Sequence, residues 1–383
     1  MRILLASSSS GSRGGGELFL LSLAKALSAS GHELLLWASE HSRMDELCVR
    51  FTEFGTVARS RYANTYDRSL RGLSAVFDSA CAARAAREWS SLRPEVVHLN
   101  KQNLEDGLDL VWALAKTNLP GVCTIHVTQS AAYLKARSAA LRDSLSRWAM
   151  RKFKGTLVAV SQQRSQDLAA FLNTSLDQVI CIPNGVAIPS EDELVRYRHE
   201  YRTQLKAGAQ DTVFLGVGRM VPQKRPLLFL QIAKAILNYI PAAKFCWLGD
   251  GELRPEWDRA VRDWGLSEKV LAPGWSTHPE PFYAAADVFL HTAAYEGLPL
   301  AVLEAMAAGL PCCLTQNLVE DFRWSDLPGL VTIDIDNPDW VRNLENQVDR
   351  KRLSTLTRKN AVERFSIDRM ASRYLALYQQ AQL

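Results

Sequence analysis

No apolar run in these 383 residues is long enough to cross a bilayer, although 47% of them are hydrophobic. The opening segment MRILLASSSSGSRGGG has only Ile3 to Ala6 as a continuous apolar stretch. That is far below the core of a signal peptide, so it reads as a buried first strand followed by a loop. There is no CxxC. Seven cysteines lie singly apart from the adjacent Cys312 and Cys313, which argues against a disulfide framework or a zinc site and suits reduced core thiols in a cytoplasmic protein. No low-complexity tract or short repeat is present. No D-x-D stands in a suitable strand–loop setting, and Asp250 and Asp287 are isolated acids on separate loops. Strong net charge is missing too, at +4 overall. The balance is uneven: residues 1–180 carry 22 Lys and Arg against 16 Asp and Glu, and the remainder 23 against 25. A basic first half and a mildly acidic second half suggest different partners, but the field is too modest to imply nucleic acid. The dinucleotide fingerprint G-x-G-x-x-G is also absent: the first glycines run G-x-x-G-G-G from Gly11, and after Gly216 and Gly218 the third position holds Val221.

What is present is strand–helix alternation, twice over. The length suits two domains. In the first, strands are expected at RILLAS, His32–Ala38, Val96–Leu99, Val122–His126 and Thr156–Ser161, with a helix from Glu17 to Ser30 after the Gly/Ser loop. A boundary is expected near residues 180–190. The second domain has a charged helix over Glu191–Lys206 and strands in VFLGVGRM, AKFCWLGDG, KVLAPGW and VFLHTA. Residues 366–382 form an amphipathic tail. Alternation of this kind predicts an α/β fold with parallel, doubly wound sheets.

In such sheets ligands bind beyond the carboxyl ends of the strands, and the chemistry-bearing residues fall there. Gly218 and Arg219 end VFLGVGR, with Lys224 just ahead of the helix near Pro226. One glycine and two cations at a helix start suit a diphosphate, Arg219 forking onto two oxygens and Lys224 acting as a point charge. Gly14, Gly15 and Gly16 open the first helix and offer N–H groups to an anion. Glu296 and Glu304, spaced E-x7-E, stand at the mouth of a strand–helix turn and inside an apolar helix, where both can meet a polyhydroxylated ligand. Gly249 and Gly251 allow close backbone approach. His126 ends the strand VCTIH, His98 and Asn100 end VVHLN as second-rank candidates for an acceptor site, and His291 sits near the Glu296 loop as a supporting residue.

The E-x7-E segment with EGLPL and EAMAAGLP around it, VGRMVPQKRP, and GGGELFLLSLAKAL opening with GG-x-E together resemble the GT-B retaining glycosyltransferases of family GT4. The resemblance covers nearly the whole chain. It is strongest from Ile182 to Pro311 and diffuse between residues 40 and 95. It implies two Rossmann-like domains facing across a cleft, an acceptor domain over residues 1–182 and a nucleotide-sugar domain over 183–365, with the 366–383 helix crossing back onto the first. It implies transfer of a hexose from a UDP-sugar to a glycan or lipid-linked acceptor in surface polysaccharide or glycolipid synthesis. Arg219 and Lys224 would hold the diphosphate, Glu304 the ribose, Glu296 with Gly297 and Leu298 the donor sugar. Gly15, Gly16, Gly218 and Gly249 would give backbone room, the Ala272–Trp275 stretch would meet the base, and His126 would lie beside the sugar. The ring of Trp275 reads instead as a packed aromatic. No metal or cofactor is implied, because cations and helix dipoles neutralise the leaving group. A non-catalytic sugar-nucleotide binder, or an epimerase or phosphorylase of the same architecture, stays open as an alternative. Residues 137–154, with Arg137, Arg142, Arg147, Arg151, Lys152 and Lys154 against Asp143 alone, read as a surface helix or as a peripheral contact with anionic membrane.

Overall fold

The computed structural model describes residues 1–382 apart from 70, 209, 323, 325, 326, 335, 336, 338 and 346. The chain divides into two compact units, Met1–Gly185 with Ile367–Leu383, and Val186–Ser366.

The first unit holds a seven-stranded parallel sheet of β1 (Arg2–Ser7), β2 (Glu33–Ser39), β3 (Thr56–Ser60), β4 (Val96–Asn103), β5 (Gly121–Val127), β6 (Thr156–Ala159) and β7 (Val179–Cys181), in the order β3-β2-β1-β4-β5-β6-β7. Ile3, Leu4, Leu5 and Ala6 have no exposed surface, as a central strand covered on both faces requires. The edge strands β3 and β7 carry weaker signals. β3 is TVARS, with a single buried residue, and β7 has three residues. Ile182 is buried in this unit's core, and Gly185 ends the unit.

The helix Gly15–Ala29 covers one face, and the tail helix Ile367–Ala381 packs beside it. Met370, Tyr374, Leu377 and Tyr378 join Phe19, Leu20, Leu23 and Leu27 in one apolar cluster. Each large side chain so buried contributes about 1.5–3 kcal/mol.

The second unit holds a six-stranded parallel sheet of β8 (Val213–Val217), β9 (Lys244–Leu248), β10 (Val270–Gly274), β11 (Val288–His291), β12 (Cys312–Thr315) and β13 (Leu330–Ile333), ordered β10-β9-β8-β11-β12-β13. The charged helix Glu191–Gln204 starts with a capping box between Ser190 and Glu193. Its Arg198 and Arg202 both pair with Asp287, at 2.5 and 2.9 Å, and Asp287 also accepts the Val213 N–H at 2.8 Å. Asp287 therefore clamps the entry to β8 and β11, at the opposite strand ends from the candidate site. All seven cysteines are free, and all but Cys181 are buried.

Candidate functional site

The strand order of the second sheet reverses beside β8. The chain runs from β8 to β9 and β10 on one side, then returns to place β11 on the other. This reversal opens a crevice beyond the carboxyl ends of β8 and β11. The loop after β8 carries Gly218, Arg219 and Lys224, and the loop after β11 carries Glu296, Gly297 and Leu298.

The two loops are bound together. Lys224 Nζ donates to Glu296 Oε1, and His291 Nε2 lies 3.2 Å from the same oxygen. Burial alone would raise the Glu296 pKa, but Lys224 and His291 reverse that and hold it at about 2. Gln223 joins the same strap, accepting the Ala294 N–H at 2.7 Å and donating its amide to the Tyr295 carbonyl at 3.0 Å. Arg225 donates to the Thr292 and Ala293 carbonyls at 2.6 and 2.8 Å from a left-handed backbone, φ 49°. That conformation is uncommon for a non-glycine residue and marks a locally constrained turn. Arg219 is exposed and forms no ion pair among the described residues. Its charge lowers the Tyr295 pKa, against the larger upward push of burial and that of Glu296.

Gly249 and Gly251 serve the fold. A Cβ at Gly249 would collide with the Gly218 carbonyl oxygen, and one at Gly251 with the Met220 backbone. The glycines let the β9 loop press against the β8 loop, so they set where Gly218 and Arg219 stand. Trp275 follows β10 directly and is half-buried.

Glu304 lies on the helix Leu300–Ala307. Its Oε2 accepts from the Tyr283 hydroxyl at 2.7 Å. Burial lifts the Glu304 pKa to about 7; the tyrosine works against the shift, and Glu280 adds to it.

In the first unit the strand order reverses beside β1, between β1 and β4, and the glycine loop lies there. His126 Nε2 meets Asn100 Oδ1 at 2.8 Å, and Asn100 Nδ2 donates to the Gly16 carbonyl at 3.1 Å. This relay ties the end of β5 to the start of the helix Gly15–Ala29. Burial pushes the His126 imidazole down to about 4, so it is neutral at pH 7, with Nε2 as donor and Nδ1 as acceptor. Gly15 is exposed and Gly16 buried. The same helix end also carries the buried carboxylate of Glu17, which accepts from Gln102 Nε2 at 3.1 Å.

His98 does not face a ligand site. It is enclosed, with Nδ1 2.6 Å from the Tyr378 hydroxyl and Nε2 2.8 Å from Thr124 Oγ1. It anchors the tail helix instead. Among the described residues one cluster has metal-ligand atoms close together, Asp78, Cys81 and Asp109. There the Arg68 guanidinium pairs with both carboxylates and supplies the positive charge.

Two features carried no sequence signal. Arg225 precedes a proline, which says nothing of a left-handed turn. Tyr283 comes within reach of Glu304 only through tertiary packing.

Two parallel-sheet Rossmann-like units define the class of GT-B proteins. Among solved structures, Anabaena Alr3699/HepE in complex with UDP matches 99% of this chain and 100% of its own at a TM-score of 0.75 and 16% identity. Sucrose-phosphate synthase from Thermosynechococcus elongatus matches 99% and 98% at 0.76 and 17%. The model "Glycosyltransferase Family 4" matches residues 13–188, and "Glycosyl transferases group 1" matches residues 211–328. The chain belongs to this family, the GT4 glycosyltransferases of GT-B fold. A UDP-Gal:alpha-D-GlcNAc-diphosphoundecaprenol alpha-1,3-galactosyltransferase of Escherichia coli is 34% identical over 157 residues, 38% of this chain and 41% of that protein. The lipopolysaccharide core biosynthesis glycosyltransferase LpsE of Rhizobium meliloti is 30% identical over 181 residues, 46% and 52% respectively. The chain thus spans about half the length of these relatives or less.

Proposed function

We propose that the protein is a retaining glycosyltransferase that moves a hexose from UDP-glucose or a related UDP-hexose to a glycan or lipid-linked acceptor in surface polysaccharide or glycolipid synthesis. The observation that carries this reading is the Lys224–Glu296 pair at the strand-order reversal, with Arg219 exposed beside it. A cation held there by one carboxylate can exchange that partner for a diphosphate. The E. coli relative's name specifies a UDP-sugar donor and a diphosphoundecaprenol-linked acceptor, and the Anabaena neighbour was solved with UDP.

In this mechanism Arg219 and Lys224 hold the diphosphate. The bond from the anomeric carbon to the phosphate oxygen breaks with its electron pair left on the oxygen, and the two cations stabilise that charge. The acceptor hydroxyl attacks the same face, and its proton passes to the departing phosphate oxygen. Glu304 accepts from the ribose hydroxyls, and Glu296, with Gly297 and Leu298, positions the donor sugar. Gly218 leaves room for the diphosphate, Gly249 lets the loop after β9 press against it, and the backbone near Trp275 meets the base. Gly15 and Gly16 offer N–H groups. Neutral His126 cannot give up a second proton easily, but its Nδ1 can accept from a sugar hydroxyl. No metal takes part, because side-chain cations already neutralise the leaving group.

The acceptor reading extends to peripheral contact with anionic membrane. No helix among the described residues is long and apolar enough to cross a bilayer. Leu141 and Trp148 are 53% and 46% exposed on the helix Ala139–Met150. The cationic face is narrower than its composition suggests. Arg142 binds Glu105, and Arg147 and the exposed Arg151 donate to the Phe171 and Leu172 carbonyls at 2.6 and 2.8 Å, while Arg137, Lys152 and Lys154 are also exposed.

A panel of UDP- and GDP-sugars, read by thermal shift and by free nucleotide, tests the proposal. A UDP-hexose is expected to raise the melting temperature by mass action and to release UDP when acceptor is added. Stabilisation without nucleotide release under any acceptor would make the protein a binder. No response to any nucleotide diphosphate would overturn the reading.

A further inference from the structure

We infer that Tyr283 is a positioning residue for the nucleoside half of the donor: by holding one carboxylate oxygen of Glu304 it aims the other at the ligand. The inference rests on the proposed role of Glu304.

Tyr283 belongs to the short helix Glu280–Ala285, is 2% exposed, and stacks obliquely on Phe289 of β11 at 5.8 Å. Its ring has little freedom to turn. Its hydroxyl donates to Glu304 Oε2 at 2.7 Å, and among the described residues the Glu304 side chain forms no other hydrogen bond or ion pair. Oε1 is therefore the acceptor left for a ligand, on a side chain that is only partly buried.

Charge sharpens the arrangement. Burial favours the protonated acid, Glu280 on the same short helix as Tyr283 pushes the same way, and the Tyr283 hydroxyl alone opposes them, leaving the pKa at about 7. The other groups near the pair do not offset this balance. Cys312 of β12 lies behind Tyr283 with its own thiol pushed well up by burial, so it is neutral. Arg358, on the helix Gln347–Arg364, is engaged by the Ala307 and Pro189 carbonyls. Without the tyrosine hydroxyl the carboxyl would hold its proton to higher pH and lose part of its accepting power toward a vicinal diol.

UDP binding by calorimetry across pH 5.5 to 8.5 tests this, on wild type, Tyr283→Phe, Glu304→Gln and the double variant. Tyr283→Phe is expected to bind UDP about tenfold more weakly at pH 7.5, as the loss of a charge-assisted hydrogen bond predicts. Its affinity midpoint should move to higher pH, while turnover at saturating donor stays near wild type. In the Glu304→Gln background the tyrosine change should have little effect, because the pair acts as one unit. Wild-type affinity with an unchanged pH profile in Tyr283→Phe, or equal losses with and without Glu304, would overturn the inference. Failure of the wild type to bind UDP would instead overturn the donor reading, and melting curves of each variant separate either result from misfolding.

Discussion

In the first unit the loops flanking the strand-order reversal carry a neutral imidazole relayed through Asn100 to the Gly16 carbonyl, an exposed glycine at a helix start and the buried carboxylate of Glu17. In the second unit the corresponding position holds charges: Lys224 clamped on Glu296, Arg219 exposed, and a tyrosine-bound Glu304 nearby. Both sheets are parallel and reverse beside the first strand of their unit. Topology sets where a ligand can lie, and the residues at the strand ends set which ligand it is. The cations of the second unit suit a diphosphate, whereas the imidazole and carboxylate of the first suit hydroxyl groups.

The sharpest way to break this contrast is to remove a cation from the charged side. Lys224→Ala, or Arg219→Ala, should lower transfer on the order of a hundredfold by withdrawing stabilisation of the leaving phosphate. Normal turnover in both single variants would erase the distinction between the units.

The next effect is on stability. The folded-state pKa of Glu296 is depressed to about 2, below its ordinary value near 4.5. Its contribution is therefore present above pH 4.5 and is lost as pH falls from there toward 2. Glu296→Gln should destabilise the second unit by on the order of 2 kcal/mol at neutral pH, with the gap closing on acidification. Chemical denaturation at pH 7 and pH 3 measures it, and a gap at pH 3 as large as that at pH 7 would show that packing, not charge, holds the residue.

The two carboxylates should then part by role. Glu304→Gln should weaken UDP itself, since ribose belongs to UDP, by about tenfold. Glu296→Gln should spare UDP and impair use of the sugar donor. Equal losses of UDP affinity would dissolve the division.

The smallest effects belong to the first unit. His126→Ala should lower turnover by about tenfold, the worth of one buried hydrogen bond, with UDP affinity unchanged. Vesicle sedimentation should detect binding to anionic lipid at low salt that fades with salt, and Leu141→Gln with Trp148→Gln should abolish it. Because Arg147 and Arg151 are held by carbonyls, neutralising Lys152 and Lys154 is expected to matter more than changing either arginine. Wild type that ignores such vesicles would make the helix structural.

The fold class was legible because central strands are continuous apolar runs bounded by glycine, and helices between them follow the helical period. Edge strands were not: TVARS has an arginine in the middle, and VIC is too short to show a period. β12 and β13, the four-residue strands CCLT and LVTI, were also not singled out. Glu296, Lys224 and Arg219 could be picked out because charge at a strand end stands apart from its neighbours. The roles of Gly249 and Gly251 could not be read in full. Glycine signals close approach, but only the structure shows that the approaching group is the Gly218–Met220 backbone. His98 illustrates the opposite error. A histidine beside an asparagine at a strand end resembles a site, and its real partner is Tyr378, 280 residues away.

That long-range partner sets a schedule for biosynthesis. The first unit's core lacks Met370, Tyr374 and Tyr378 until the tail helix arrives, and the whole of Val186–Ser366 is translated in between. At about 5–20 residues per second the wait is on the order of ten to forty seconds. Throughout that interval the face of the helix Gly15–Ala29 that Tyr374 later covers is open, and Thr124 and His98 have no tyrosine to bond. The unit made first is therefore the one finished last, and a nascent chain stalled before Ile367 leaves this apolar face uncovered even when its second unit has already folded.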